Sequence, residues 1–214
     1  MKVVNSPYYR ISELVILALI IPFTIAYFRL SPYLLIFLWV IFFYCAGIYY
    51  ICERKQFKKT TTIIVTKQKF IFIFVRWVCL SGLLYTFTAT LFPDKLFSIQ
   101  NSSPDLMWKL LILYPVVSAF PQEFIFCRFF FSRYQPLFRN KTLMVTMSAL
   151  TFCIAHILFI NWVAPVLGLV AGVIFALTYQ KTKSLLLVSI EHGLYGDALF
   201  FFGLGWFFWG GATI

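Results

Sequence analysis

Glu123 sits in the run Phe120-Pro121-Gln122-Glu123-Phe124-Ile125-Phe126, a carboxylate among apolar and aromatic neighbours, and the chain's two histidines, His156 and His192, also fall inside apolar runs. An ionisable side chain at membrane depth is costly, so each asks for a polar partner, a water-filled cavity or a chemical role. One carboxylate and two imidazoles are groups suited to amide hydrolysis, which needs a base to take a proton from water and polar groups to steady the oxyanion. The same three side chains also form a ligand set for a divalent metal such as zinc, which makes a bound water acidic. Singly, each has a plainer reading: a histidine bonded between helices, or a glutamate paired with an arginine. Buried Glu, His and Asp also serve proton relays in transporters, although no internal repeat of the kind many transporters carry is visible.

These residues need elements to hold them, and the composition says of what kind. The chain is 62% hydrophobic and only 12% charged, against roughly 25% charged in a soluble domain. This predicts an integral membrane protein: an all-α, polytopic transmembrane bundle. Its 214 residues have room for about seven or eight spans of around 20 residues, making residues 1–214 a single membrane domain. The net charge of +11 does not point to nucleic acid, because the basic residues stand between apolar runs and follow membrane topology. The lipid bilayer is the partner they imply.

Six spans are expected before the last segment: Leu14 to Phe28 with a kink at Pro22, Tyr33 to Ile51, Phe70 to Leu91, one from Leu106 through Glu123, Leu143 to Ile160 with His156, and Trp162 to Tyr179. The fourth is either one helix or two broken at Pro115 or Pro121. The last segment, Leu185 to Ile214, carries His192 and Asp197 and reads as one long helix or two short ones parted near Gly203 and Gly205. Basic residues gather at the amino terminus, at Arg54 to Lys69, at Arg128 to Lys141 and at Lys181 to Lys183. Strict alternation of the spans puts all four groups on one side, which the positive-inside rule makes cytoplasmic, the amino terminus included. The cysteines Cys45, Cys52, Cys79, Cys127 and Cys153 lie in apolar spans without a CxxC pair and read as small hydrophobes, with Cys153 and His156 a conceivable metal pair. Serine-hydrolase, nucleotide-loop and HExxH signatures are absent from the sequence.

Three motifs in order resemble the CAAX protease and bacteriocin-processing (CPBP, Abi) family of intramembrane proteases. The family pattern has paired glutamates with an arginine four residues after the second, then an FxxxH helix, then an HxxxN or HxxxD-like helix. Here they correspond to Gln122-Glu123, to Phe152 through His156, and to the stretch beginning at His192. One branch has glutamine before the glutamate, an aromatic run ending in Arg-Tyr and a Glu-His-x-Leu-Tyr-Gly-Asn/Asp stretch, matched here by Gln122, by Phe129 to Tyr134 and by Glu191 to Asp197. The likeness covers about residues 115–211.

The resemblance implies an all-helical membrane fold and an intramembrane endopeptidase. Glu123 would activate water and His156 would be its main partner; His192, with Asp197 as the best match to the following amide or carboxylate, would complete the pocket. Gln122 and Phe152 would lie on the substrate side. The substrate would be a peptide or membrane protein, with no nucleic acid involved, in a bacterial cytoplasmic membrane. Either a metal-free glutamate or a zinc held by Glu123, His156 and His192 is compatible with it. The chain departs from the pattern at Gln122 for the first glutamate, at Cys127 for the arginine, and at Gly196, which puts the carboxylate five residues after His192. At about 100° per residue, Cys127 takes the pairing position beside Glu123 and Arg128 points elsewhere unless a π-bulge brings it back. A non-catalytic relative acting as a membrane binding or immunity protein is the alternative these departures suggest.

Overall fold

The computed structural model describes residues 3–138 and 140–208, so Arg139 and the segment after Phe208 lie outside it. Among the described residues every regular element is helical. Six helices are long and apolar enough to cross a membrane: α1 (Pro7–Tyr27), α2 (Ser31–Lys59), α3 (Lys67–Leu91), α4 (Pro104–Arg133), α5 with its terminal turn (Lys141–Phe159) and α6 (Val163–Thr182). A seventh, α7 (Leu185–Phe201), has 17 residues, about 26 Å at 1.5 Å per residue and near the lower limit for a span. The expected break near Gly203 is present: its φ of +88° turns the chain into a short 3-10 segment, Leu204–Phe208. No eighth span occurs among the described residues.

Helix α4 is continuous over 30 residues, so neither Pro115 nor Pro121 divides it. Each proline lacks an N–H and clashes with the carbonyl four residues back, and a wider turn relieves both faults. A π-helical turn, Pro115–Ala119, stands just before Pro121, and a second, Phe124–Phe129, follows Glu123. The same device stands before Pro22, where Ile16–Ile20 is π-helical. Charges extend α2 past its expected end, because Arg54 to Lys59 continue the helix beyond the apolar run.

α7 packs among α3, α4 and α6, while α5 and α6 pair along their lengths, α1 lies against α5 and α2 lies against α4. Their shared core is aromatic, built on Phe129, Phe130, Tyr134, Phe152, Phe175 and Tyr179. α5 and α6 approach closely because α6 offers Gly168 and Gly172; a Cβ at Gly172 would stand 3.0 Å from the Ala149 Cα. Small residues serve this purpose in membrane bundles, where apolar burial gives no drive for helix association.

One end of the bundle is tied by a buried ionic cluster. The Arg133 side chain is fully enclosed and donates to Glu13 (2.7 Å), Glu53 (3.0 Å), Asn5 (3.0 Å) and the Val4 carbonyl (2.6 Å). Arg10 adds bonds to Glu53 and to the Arg133 carbonyl. At this same end the Ile64 N–H donates to the Thr182 carbonyl and the Gln180 amide to the Lys141 carbonyl. The amino terminus, the α2–α3 loop, the end of α4, the start of α5 and the end of α6 thus meet on one side of the bundle. At the opposite end, Asn161 donates to Phe207 and the Lys95 ammonium lies 4.1 Å over the Trp206 ring. α7 therefore runs from one end to the other.

Candidate active site

Glu123 is fully buried on α4 and His192 is buried on α7. His192 Nδ1–H donates to Glu123 Oε1 at 2.8 Å. A carboxylate accepts only, so it holds the proton on Nδ1 and leaves Nε2 as the acceptor of the neutral ring. The Tyr114 hydroxyl, 2.8 Å away, donates to that Nε2. Phe175 stacks on the imidazole with centroids 4.6 Å apart and planes 19° from parallel. Both nitrogens and one face of His192 are thereby fixed. Glu123 Oε2 has no hydrogen-bond partner among the described residues, and the Cys127 thiol stands beside the carboxyl.

His156 arrives from α5, but not within its helical body. The α-helix ends at Ile154, and His156 occupies the turn before the 3-10 segment Ile157–Phe159. Its Nδ1–H donates to the Phe152 carbonyl at 2.7 Å, so the neutral ring offers a lone pair at Nε2 and no donor there. The Phe152 ring lies against both imidazoles, 4.6 Å from His156 and 5.6 Å from His192. Gly168 makes room for His156, since a Cβ there would be 3.1 Å from the ring.

A cavity of ≈ 1560 Å³ runs between the helices, and Tyr114, Gln122, Phe152, His156 and His192 are on its largely apolar wall. Sites of this kind combine an apolar lining with a few convergent polar groups. Gln122 holds its amide against Ser118 Oγ at 2.9 Å. Glu123 and Asp197 do not line the cavity. Glu123 stands behind His192 and reaches the cavity through it. Asp197 is not among the hydrogen-bond partners of Glu123 or His192; it lies near Tyr114, with a buried Oδ1 that has no partner among the described residues. The residue that completes the polar chain is Tyr114.

Among the described residues no group of three or more His, Cys, Asp and Glu is placed to hold a metal ion. Glu123 and Tyr114 occupy the two nitrogens of His192, and the Phe152 carbonyl occupies Nδ1 of His156. The residues as arranged do not fit a metal.

Arg128 does not reach Glu123, although α4 is π-helical across Phe124–Phe129. Its guanidinium lies 4.0 Å over the Phe57 ring and donates to Tyr49 and to the Lys183 carbonyl. A second buried carboxylate, unanticipated from the sequence, is Glu191, paired with Arg76 of α3 and accepting from Tyr195. The signal for this pair was present, because Arg76 and Glu191 are opposite charges in apolar spans and each must find a partner.

No curated protein and no solved structure matches the chain. A family model does match, over the helices that carry all three motifs, and at family level it supports a CAAX-type intramembrane protease. Residues 104–196 match the Rce1-like family, described as type II CAAX prenyl endopeptidase Rce1-like, in agreement with the order of the motifs.

Proposed function

We propose that the chain is an intramembrane endopeptidase in which Glu123, acting through His192, activates water against a peptide bond. The observation that carries this reading is the 2.8 Å bond between Glu123 and His192, with the imidazole on the cavity wall and the carboxylate behind it. Water held at His192 Nε2 gives its proton to that nitrogen as its oxygen attacks the scissile carbonyl carbon. The Glu123 charge stabilises the imidazolium that forms. The proton then passes from Nε2 to the amide nitrogen as the C–N bond breaks, leaving a carboxylic acid and an amine. His156, with its Nε2 lone pair toward the cavity, accepts the second water hydrogen and orients the attack. Gln122 and Phe152 contact the substrate from the same wall.

The substrate is a peptide entering from the bilayer, with a prenylated CAAX end as the first class to try. The membrane is that of a bacterial cytoplasm, with the amino terminus inside. Purified protein in nanodiscs should cut a farnesylated CAAX peptide or a tagged single-span peptide, and EDTA should leave the rate unchanged. Loss of cleavage on chelation with recovery on added zinc would overturn the metal-free assignment. The second reading, a non-catalytic membrane binding or immunity protein, is favoured by Cys127, which puts a thiol and not a cation beside Glu123. Absence of cleavage across both peptide classes would select it.

A further inference from the structure

Gly196 leaves a space that Tyr114 fills. A Cβ built on Gly196 would stand 2.0 Å from Tyr114 Cε1 and 2.7 Å from its hydroxyl oxygen, so no other side chain fits while the phenol is there. The ring is held edge-on against Phe200 at 5.0 Å and against His192 at 5.9 Å. Its hydroxyl ends 2.8 Å from His192 Nε2, on the wall of the cavity. Tyr114 is nine residues before Glu123 on α4, and no motif in the sequence singles it out.

We propose that Tyr114 is a catalytic residue, the hydroxyl that donates to the oxyanion of the reacting peptide bond. The inference rests on the endopeptidase reading above. In the resting site the phenol O–H donates to Nε2 and occupies the lone pair that must receive the water proton. The phenol hydrogen can be redirected by rotation about the C–O bond, with the ring in place. When a substrate carbonyl reaches the wall, the O–H swings from Nε2 to the carbonyl oxygen without moving the ring. One rotation frees the base and supplies a donor where negative charge develops. His156 cannot supply that donor in its neutral form, because its one N–H is given to the Phe152 carbonyl.

The test is Tyr114→Phe, which keeps the ring beside Gly196 and removes only the hydroxyl. With the farnesylated CAAX peptide or the tagged single-span peptide, kcat should fall about 100-fold, the loss typical of one oxyanion donor, while KM stays within about threefold. Nitrogen-15 spectra of the two histidines give a second readout. The His192 Nε2 signal should move in Tyr114→Phe and the His156 signals should not. Wild-type turnover in Tyr114→Phe, with Glu123→Gln inactive, would overturn the inference and leave the endopeptidase reading standing. Wild-type turnover in both variants, or no cleavage by the parent protein, would reject that reading and the inference with it. An unmoved His192 signal would overturn the placement of Tyr114 whatever the peptide assay shows.

Discussion

Glu123 and His192 are 69 residues apart in the chain and 2.8 Å apart in the bundle, joined through Oε1 and Nδ1. The bond gives a buried carboxylate the partner it needs and gives the imidazole a fixed tautomer. It also changes what the carboxylate does. A glutamate facing water takes the proton itself, whereas one behind a histidine leaves the ring to take it.

Glu123→Gln is expected to remove this effect with little damage to the fold. The amide is the same shape and still bonds His192, but it carries no charge to stabilise an imidazolium. Cleavage should fall by about two to four orders of magnitude, while the unfolding midpoint in detergent stays near that of the parent. Turnover at the parent rate would remove Glu123 from the mechanism.

Gly168→Ala should act on the reaction more than on stability. The new methyl would meet the His156 ring at 3.1–3.3 Å, and the ring cannot retreat freely because the Phe152 carbonyl holds it. A shift of a few tenths of an ångström in an orienting group should slow cleavage about tenfold. Gly172→Ala makes the contrast, since its methyl would meet the Ala149 backbone at 3.0 Å and separate α5 from α6. The first variant should lower kcat in a protein of near-parent stability, and the second should lower stability. Equal effects on both quantities would show that the glycines serve packing alone.

Much of this architecture was legible before any coordinates. Composition and apolar runs located the spans to within a few residues at most ends, and three motifs located Glu123, His156 and His192. The continuity of α4 through Pro115 and Pro121 was not legible, because a proline in a membrane helix is accommodated by a π turn whose presence depends on neighbouring helices. Spacing along α7 gives the face of Asp197, but it could not say that Tyr114 of another helix fills the space at Gly196 and bonds His192. Pairings such as Arg76 with Glu191 join residues 115 apart. A single sequence says that such charges need partners without saying which.

Arg133 and Arg128 illustrate two uses of a cation, and their replacements should separate them. Arg133→Met strands Glu13 and Glu53 around a missing guanidinium, and breaking a buried pair of this kind costs about 3–5 kcal/mol. Arg133→Lys should recover only part, because an ammonium lacks the planar fork that reaches four acceptors at once. Arg128→Ala removes a cation over the Phe57 ring, worth about 0.5–2 kcal/mol, and should leave cleavage within about threefold. Unfolding in mixed SDS micelles measures the first series and the peptide assay the second. If Arg128→Ala were as inactive as Glu123→Gln, Arg128 would have to approach the carboxylate in the working enzyme.

The bonds from Arg133 to Val4 and Glu53, from Ile64 to Thr182 and from Gln180 to Lys141 gather the basic segments at one end of the bundle. The orientation proposed from the positive-inside rule places that end on the cytoplasmic side. Lys59, Ser102 and Asn140 are exposed at loop ends and suit single-cysteine labelling in a background from which the five native cysteines have been removed. Because Cys45 and Cys127 are buried, the background should first be shown to keep the parent's unfolding midpoint. Lys59→Cys and Asn140→Cys should react with an impermeant maleimide only in inside-out vesicles, and Ser102→Cys only in right-side-out ones. Reversal of all three would invert the protein in the membrane and leave the bundle as described. Labelling of Lys59→Cys and Ser102→Cys from the same face would mean that α3 does not cross, a result incompatible with its parallel packing beside α7 through Arg76 and Glu191.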